Sequence, residues 1–357
     1  MNSLLQPLTI GDTLLKNRVI MAPLTRCRAT ADHVPTPLMT QHYAQRASAG
    51  LIIAEATMAI ENNSAFWMEP GIYSSAQIDA WKEVTDAVHA KGGKIYLQIW
   101  HGGRACHPLL NDGNQPVSSS ALAIIHGEVH TPQGMQPYTL PRELTIEEIQ
   151  NIVKGFKTAA INAKEAGFDG VEVHGANGYL IDQFLRDGAN KRTDQYGGSF
   201  ENRGRFLFEI LEAVCSVWGS QNVGLRISPL NSFNDIIDSE PISLYTWLAG
   251  ELNRFNLGYL HVMRSDFFSQ QSGDVMTPIR EAYKGTLIGN MGYTPQEASQ
   301  AIKDGKVDAV AFGAYFIANP DFVERIESDA ALNTPDTNTF YSSGSEGYTD
   351  YPFMEAK

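Results

Sequence analysis

Gly167-Phe168-Asp169-Gly170-Val171-Glu172-Val173-His174-Gly175-Ala176-Asn177-Gly178-Tyr179-Leu180 is the stretch on which the fold turns. Ahead of it, Ile149, Ile152, Val153, Phe156, Ala160 and Ala163 recur at helical spacing. That is one apolar stripe of an amphipathic helix, and Gly167 stops it. Thr145 and Glu148 stand at capping-box spacing at its start. Residues 170–174 then read as a short buried strand, and Asn177-Gly178 as a turn directly beyond it. Helix, stop, strand and turn make one unit of a parallel α/β fold.

The same unit recurs in both directions. Strands are expected at 19–23, 51–56, 94–100, 170–174, 223–227, 259–263, 285–289 and 309–312. Between them lie helical patterns at 38–47, from Ser75 to the Gly92-Gly93 stop, at 203–218, behind a Ser243 cap, and near 278–283. Thr294-Pro295-Gln296-Glu297 has the spacing of another capping box, and Asn319-Pro320 is expected to open the last helix, to about Glu327. A helical insertion is expected at 179–185. Eight strand–helix units favour a closed (β/α)8 TIM barrel over an open sheet. The Gly11-Asp12 turn between apolar flanks reads as an N-terminal hairpin closing the barrel bottom. An excursion rich in Pro, Gly, Ser and His, residues 104–143, follows strand three. The tail 333–357 is polar but carries Phe340, Tyr341, Tyr348, Tyr351 and Phe353, so it is expected to dock on the barrel. No linker divides the chain, which reads as a single domain over 1–357.

Composition removes several classes. The formal net charge is −13, with no Lys/Arg stripe, which argues against nucleic acid and against anionic membranes. That charge also opposes a phosphate-bearing ligand at long range, so any phosphate site must rest on local donors. No run of 18 apolar residues occurs, so no membrane span is expected. Cys27, Cys106 and Cys215 fit neither a zinc site nor a disulfide framework, and a cytoplasmic setting is the simplest. Small molecules are the expected partners, for a monomer or homodimer.

Barrel chemistry sits at the C-terminal strand ends. At those ends stand Thr25, residues 55–57, Gln98, Trp100, His101, His174, Asn177, Arg226, Arg264, residues 289–292, and Gly313-Ala314. His101 and His174 lack partners at ligand spacing, so no metal is expected. No strand ends in Lys, which argues against a Schiff-base lyase. No G-x-S-x-G elbow occurs. What remains is a set of neutral donors with one Arg, suited to holding a planar heterocycle and polarising a carbonyl. Gly289, Gly292 and Gly313 precede helices and read either as a phosphate cradle or as ordinary tight turns. By spacing alone, Asn177-Gly178 is also a plain turn, and Tyr179 a packing residue.

The chain resembles the Old Yellow Enzyme family along nearly its whole length. The match runs through Met21-Ala22-Pro23-Leu24-Thr25-Arg26, Glu55-Ala56-Thr57 and Gln98-Ile99-Trp100-His101. It continues through His174-Gly175-Ala176-Asn177-Gly178-Tyr179-Leu180, Arg192-Thr193-Asp194-Gln195-Tyr196-Gly197-Gly198-Ser199 and Gly347-Tyr348-Thr349-Asp350-Tyr351-Pro352. The resemblance implies non-covalent FMN, with NADPH or NADH as reductant, and reduction of activated C=C bonds such as enones, maleimides and nitroalkenes. It implies flavin contacts from Ala22, Pro23, Leu24, Thr25, Ala56, Gln98, His174 and Arg226. Gly289, Asn290, Gly292, Gly313 and Ala314 would hold the phosphate end. His174 and Asn177 would donate to a substrate carbonyl and Tyr179 would protonate its α-carbon, with Phe66, Trp100 and Tyr351 around the substrate. A quinone or nitro-ester reductase with the same site is the runner-up; a non-redox lyase or a low-turnover flavin binder are the other classes. Two positions depart from the family. Ala314 stands where an Arg usually grips the phosphate, which predicts weaker FMN retention or a phosphate held by backbone amides. Phe66 stands where a Tyr is common, making the wall more apolar.

Overall fold

The computed structural model describes residues 2–355. Its centre is a closed parallel barrel of β3 (Val19–Met21), β4 (Leu51–Met58), β5 (Ile95–Trp100), β10 (Gly170–Gly175), β11 (Val223–Ile227), β12 (Tyr259–Met263), β13 (Leu287–Asn290) and β14 (Ala309–Phe312), with β14 pairing back to β3. The expected TIM barrel is therefore the observed one. Around it run α1 (Pro37–Gln45), α2 (Ser75–Ala90), α3 (Ile146–Glu165), α4 (Leu180–Leu185), α5 (Phe200–Trp218), α6 (Pro241–Leu252), α7 (Met276–Ala282), α8 (Pro295–Lys303), α9 (Ala314–Ala318) and α10 (Phe322–Ser328).

Alternate strand residues point to opposite faces. Val171, Val173, Leu225, Leu260, Val262, Leu287 and Val310 pack outward against the helices. The other parity fills the barrel. Its lowest layer joins Ile20, Ile53, Tyr96, Tyr259 and Ile288 to Ile10 and Leu15. The last two come from the antiparallel hairpin β1 (Leu8–Ile10) and β2 (Thr13–Leu15), which thus plugs the barrel bottom. Room for the two Tyr rings is made by glycine: a Cβ at Gly170 would stand 2.4 Å from Tyr96, and one at Gly224 only 2.1 Å from Tyr259.

Several local expectations need correction. The box at Thr145–Glu148 forms in both directions, and Arg142 grips the same Glu148. At α8 the Thr294 side chain caps Glu297 N–H, but the Glu297 carboxylate is drawn away to Arg264 instead of closing the box. Ser243 does not cap α6; Pro241 occupies its first turn, where the missing N–H costs nothing. Asn319-Pro320 does not open the last helix. It follows α9, and Asp321, paired with Arg325, precedes α10.

The excursion after β5 contains a hairpin, β7 (Glu128–Thr131) with β8 (Gly134–Pro137), and a short bridge of β6 (Val117–Ser118) to β9 (Arg142–Glu143). The C-terminal segment lies on buried arginines. Arg26 donates to the carbonyls of Phe340 and Gly347, at 2.9 and 2.8 Å, and Arg28 to those of Thr339 and Phe340, at 2.9 and 3.1 Å. Tyr348 is fully buried and stacks on His42 at 3.9 Å. Among the described residues no helix is long and apolar enough to cross a membrane.

Candidate active site

At the C-terminal end of the barrel lies a cavity of about 650 Å³. It is lined by Ala22, Pro23, Leu24, Thr25, Ala56, Phe66, Gln98, His174, Asn177, Tyr179, Arg226, Asn290, Gly292, Gly313 and Ala314, all expected from the sequence. Inward parity brings His174 from β10, Arg226 from β11 and Asn290 from β13 to this mouth. On β4 the register shifts between Ala54 and Thr57. That bulge exchanges the parity, turning Glu55 away and Ala56 toward the cavity.

Three expected residues lie elsewhere. Gly289 has outward parity, beside Tyr293 and Val307. Trp100 stands behind the wall; its ring meets Tyr179 edge-on at 4.3 Å, so it supports that phenol. Tyr351 is spent on the tail, where its hydroxyl accepts the Asp336 N–H at 2.8 Å. Phe340 and Tyr341 reach the cavity in its place. Their position depends on how the tail folds over Arg26 and Arg28, which no local pattern encodes. Phe233, Met263, Phe267, Met291 and Tyr293 also line it and were not expected.

Below the mouth runs a buried polar layer. Gln98 Nε2 donates to Glu172 at 2.7 Å, and the other Glu172 oxygen meets His261 Nδ1 at 2.9 Å. Spending the Gln98 amide nitrogen downward leaves its carbonyl oxygen as the free end. Arg226 Nη2 donates to Asn290 Oδ1 at 2.9 Å, while Asn290 Nδ2 donates to the Ala311 carbonyl. A guanidinium has five N–H donors, and Arg226 Nε is buried without a partner.

The turn beyond β10 is held from all sides. Ser228 Oγ accepts Asn177 N–H at 2.7 Å, Asp182 accepts Gly178 N–H at 2.9 Å, and Asn234 Nδ2 donates to the Asn177 carbonyl at 2.9 Å. Asn231 Nδ2 donates to Asn177 Oδ1 at 2.8 Å, and Asn231 Oδ1 accepts Phe267 N–H. With both amides oriented, Asn177 can offer only its NH₂ to the cavity. Neither Asn231 nor Asn234 was singled out from the sequence. Both sit in an irregular run after β11, and their partners are about fifty residues away.

Electrostatics assigns protonation. Burial, then the Arg226 charge, then His261 hold the His174 imidazole well below its usual range, so it is neutral at pH 7. Its Nδ1 is buried and unpartnered. Burial pushes the Tyr179 phenol well above 10, with Tyr138, Tyr341 and Glu69 adding to it. Cys27 and Cys106 are buried and pushed upward by burial, so they stay protonated thiols.

A flavin fits this donor set. Among the described residues the cavity lining holds two guanidinium groups and no carboxylate, although the chain carries a charge of −13. The unpartnered Arg226 Nε and His174 Nδ1 need acceptors or donors that the described residues do not supply. Beyond a wall made by Phe66, Tyr179, Phe233 and Tyr341, a second chamber of about 790 Å³ opens beneath the β7–β8 hairpin.

A family model described as NADH:flavin oxidoreductase / NADH oxidase matches residues 3–333. The chain is 50% identical over 356 residues to a probable flavin mononucleotide-dependent alkene reductase of Leishmania infantum, covering 98% of this chain and 97% of that one. Among solved structures, the old yellow enzyme from Trypanosoma cruzi superposes with a TM-score of 0.96 at 46% identity, covering 99% of each chain. Morphinone reductase in complex with tetrahydroNAD superposes with a TM-score of 0.94 at 47% identity, covering 99% of this chain and 98% of that one.

Proposed function

The chain belongs to the NADH:flavin oxidoreductase / NADH oxidase family, and on that premise we propose that it is an FMN-dependent ene reductase driven by NAD(P)H. The observation that carries this reading is convergence: a neutral imidazole, an oriented amide NH₂ and a protonated phenol meet one cavity that also presents Arg226 and Gln98.

Bound FMN would supply the two-electron chemistry, taking hydride from NAD(P)H and delivering it to the β-carbon of an activated alkene. Ala22, Pro23, Leu24 and Ala56 form an apolar bed for the ring. Thr25, Gln98 and Arg226 serve its polar edge, and the fixed Arg226 cation stabilises negative charge that gathers there in a water-poor site. His174 and Asn177 donate to the substrate carbonyl oxygen, drawing electron density toward it and leaving the β-carbon electrophilic. Tyr179 Oη gives its proton to the α-carbon and regains one from solvent. Its raised pKa keeps that proton in place until an enolate forms. Phe66 and Phe233 exclude water and favour apolar substrates.

The free thiols of Cys27, Cys106 and Cys215 support a reducing, cytoplasmic setting. The tail joins the barrel through the bonds of Arg26 and Arg28, which supports a single domain.

Anaerobic titration tests the reading. The purified protein is expected to be yellow, to bleach with NADPH or NADH, and to regain colour with 2-cyclohexenone while the saturated ketone accumulates. A yellow protein that neither nicotinamide bleaches overturns it.

A further inference from the structure

We propose that Arg264 is the residue that makes this chain select a phosphorylated flavin over the unphosphorylated one, in the absence of a cation at position 314. The inference rests on the reading that FMN is the cofactor. Among the described residues, the Gly292, Gly313 and Ala314 end of the cavity has no charged side chain of its own. Of the two guanidinium groups in the lining, Arg26 gives Nε and Nη2 to the tail carbonyls and Arg226 gives Nη2 to Asn290, each keeping one buried unpartnered nitrogen. Arg264, just past the end of β12, is a third cation directly behind the cradle. Its Nη2 lies 3.7 Å from where a Gly292 Cβ would stand, so the guanidinium sits against Gly292, a residue of the cavity lining.

The guanidinium is held in place from three directions. Nε donates to the Met291 carbonyl at 2.8 Å, the plane lies over Tyr293 at 3.7 Å, and the fork meets Glu297 at 2.5 and 3.1 Å. Three of its five N–H groups are thereby engaged and two remain. Met291 and Tyr293 themselves line the cavity, so the anchors that fix Arg264 belong to the cradle. The Glu297 partner is half-exposed, and a phosphate dianion can share the fork while water solvates the displaced carboxylate. A ligand ending in a hydroxyl gains nothing comparable.

Flavin release tests this. Wild-type and variant proteins are loaded with FMN or with riboflavin, and the return of flavin fluorescence is followed on dilution. Arg264→Met is expected to speed FMN release about 10- to 100-fold, the scale of one charge-assisted hydrogen bond, and to change riboflavin release less than twofold. Ala314→Arg in that background should restore slow FMN release, and Arg264→Lys should retain part of the preference for FMN. Raising the ionic strength should speed FMN release from the wild type more than from Arg264→Met. Equal acceleration of both flavins would mean that Arg264 only props Met291 and Tyr293, and would overturn the proposal. Unchanged release of both would overturn it as well. If the wild type retains neither flavin, the cofactor reading falls and this inference with it.

Discussion

The turn beyond β10 and the cradle beyond β13 and β14 line one cavity, but they hold their polar groups by different means. At the turn, Asn177 is bonded to Ser228, Asn231 and Asn234, and Gly178 to Asp182. Burial drives His174 down and Tyr179 up, so both are neutral. At the cradle, Arg264 and Glu297 are partly exposed, and their link is an ion pair within reach of salt. The contrast follows from the work proposed for each side. Groups that polarise a carbonyl and hand over a proton need fixed geometry and low dielectric, whereas a phosphate grip gains from charge and tolerates water.

The largest effect that separates the two sides is expected at Tyr179. Tyr179→Phe should slow enone reduction about 100- to 10,000-fold, the range of a general acid, while NADPH oxidation with a quinone acceptor changes little. Stopped-flow measurement of both half-cycles decides it, and equal slowing would remove Tyr179 from its role. Next comes Asn231→Ala. It frees the Asn177 amide to flip, and enone turnover should fall roughly 10-fold, the scale of a lost hydrogen bond, with flavin release unaffected. Faster flavin release would show that the two sides are coupled. A smaller change is expected from Ala314→Arg in the wild type. A second cation should slow FMN release only a few-fold, roughly 1 kcal/mol at a partly screened surface. A slowing as large as in the Arg264→Met background would mean that Arg264 contributes nothing.

The smallest effect concerns Glu69, buried in the loop after β4, where it accepts the Ala65 N–H. Burial pushes its carboxyl up to about 8 from an ordinary 4.5. The folded protein therefore keeps a proton that the unfolded chain releases. Its contribution to stability is full below about pH 4.5 and declines as the pH rises toward 8. Glu69→Gln is neutral at every pH, so its melting temperature should fall less than that of the wild type between pH 5 and 8. Glu55, pushed up to about 7, acts in the same direction and remains in the variant. Parallel melting curves would show that Glu69 is ionised in the folded protein.

Much of the molecule was legible along the chain because its signals are local. A strand buried on both faces is a β-rich apolar run, and Val223–Ile227, Tyr259–Met263 and Ala309–Phe312 fall where that run predicts. A capping box is a four-residue pattern, yet the one at Thr294 failed because Arg264, thirty residues earlier, competes for Glu297. Strand parity also explains Gly289: the same alternation that brings Asn290 into the cavity turns its neighbour away. Tyr351 and Tyr341 exchanged places because the tail's path is set by the arginines beneath it, not by its own sequence.

The sequence by itself determined the barrel, the hairpin at its base, and which strand ends carry donors, since hydrophobic period and turn residues act within a few positions. Tertiary structure alone decided what those donors are. Closing the barrel brought Asn231 against Asn177, buried His174 beside Arg226, and set Arg264 behind Gly292. Orientation, protonation and charge placement depend on neighbours distant in the chain, and only the folded arrangement supplies them.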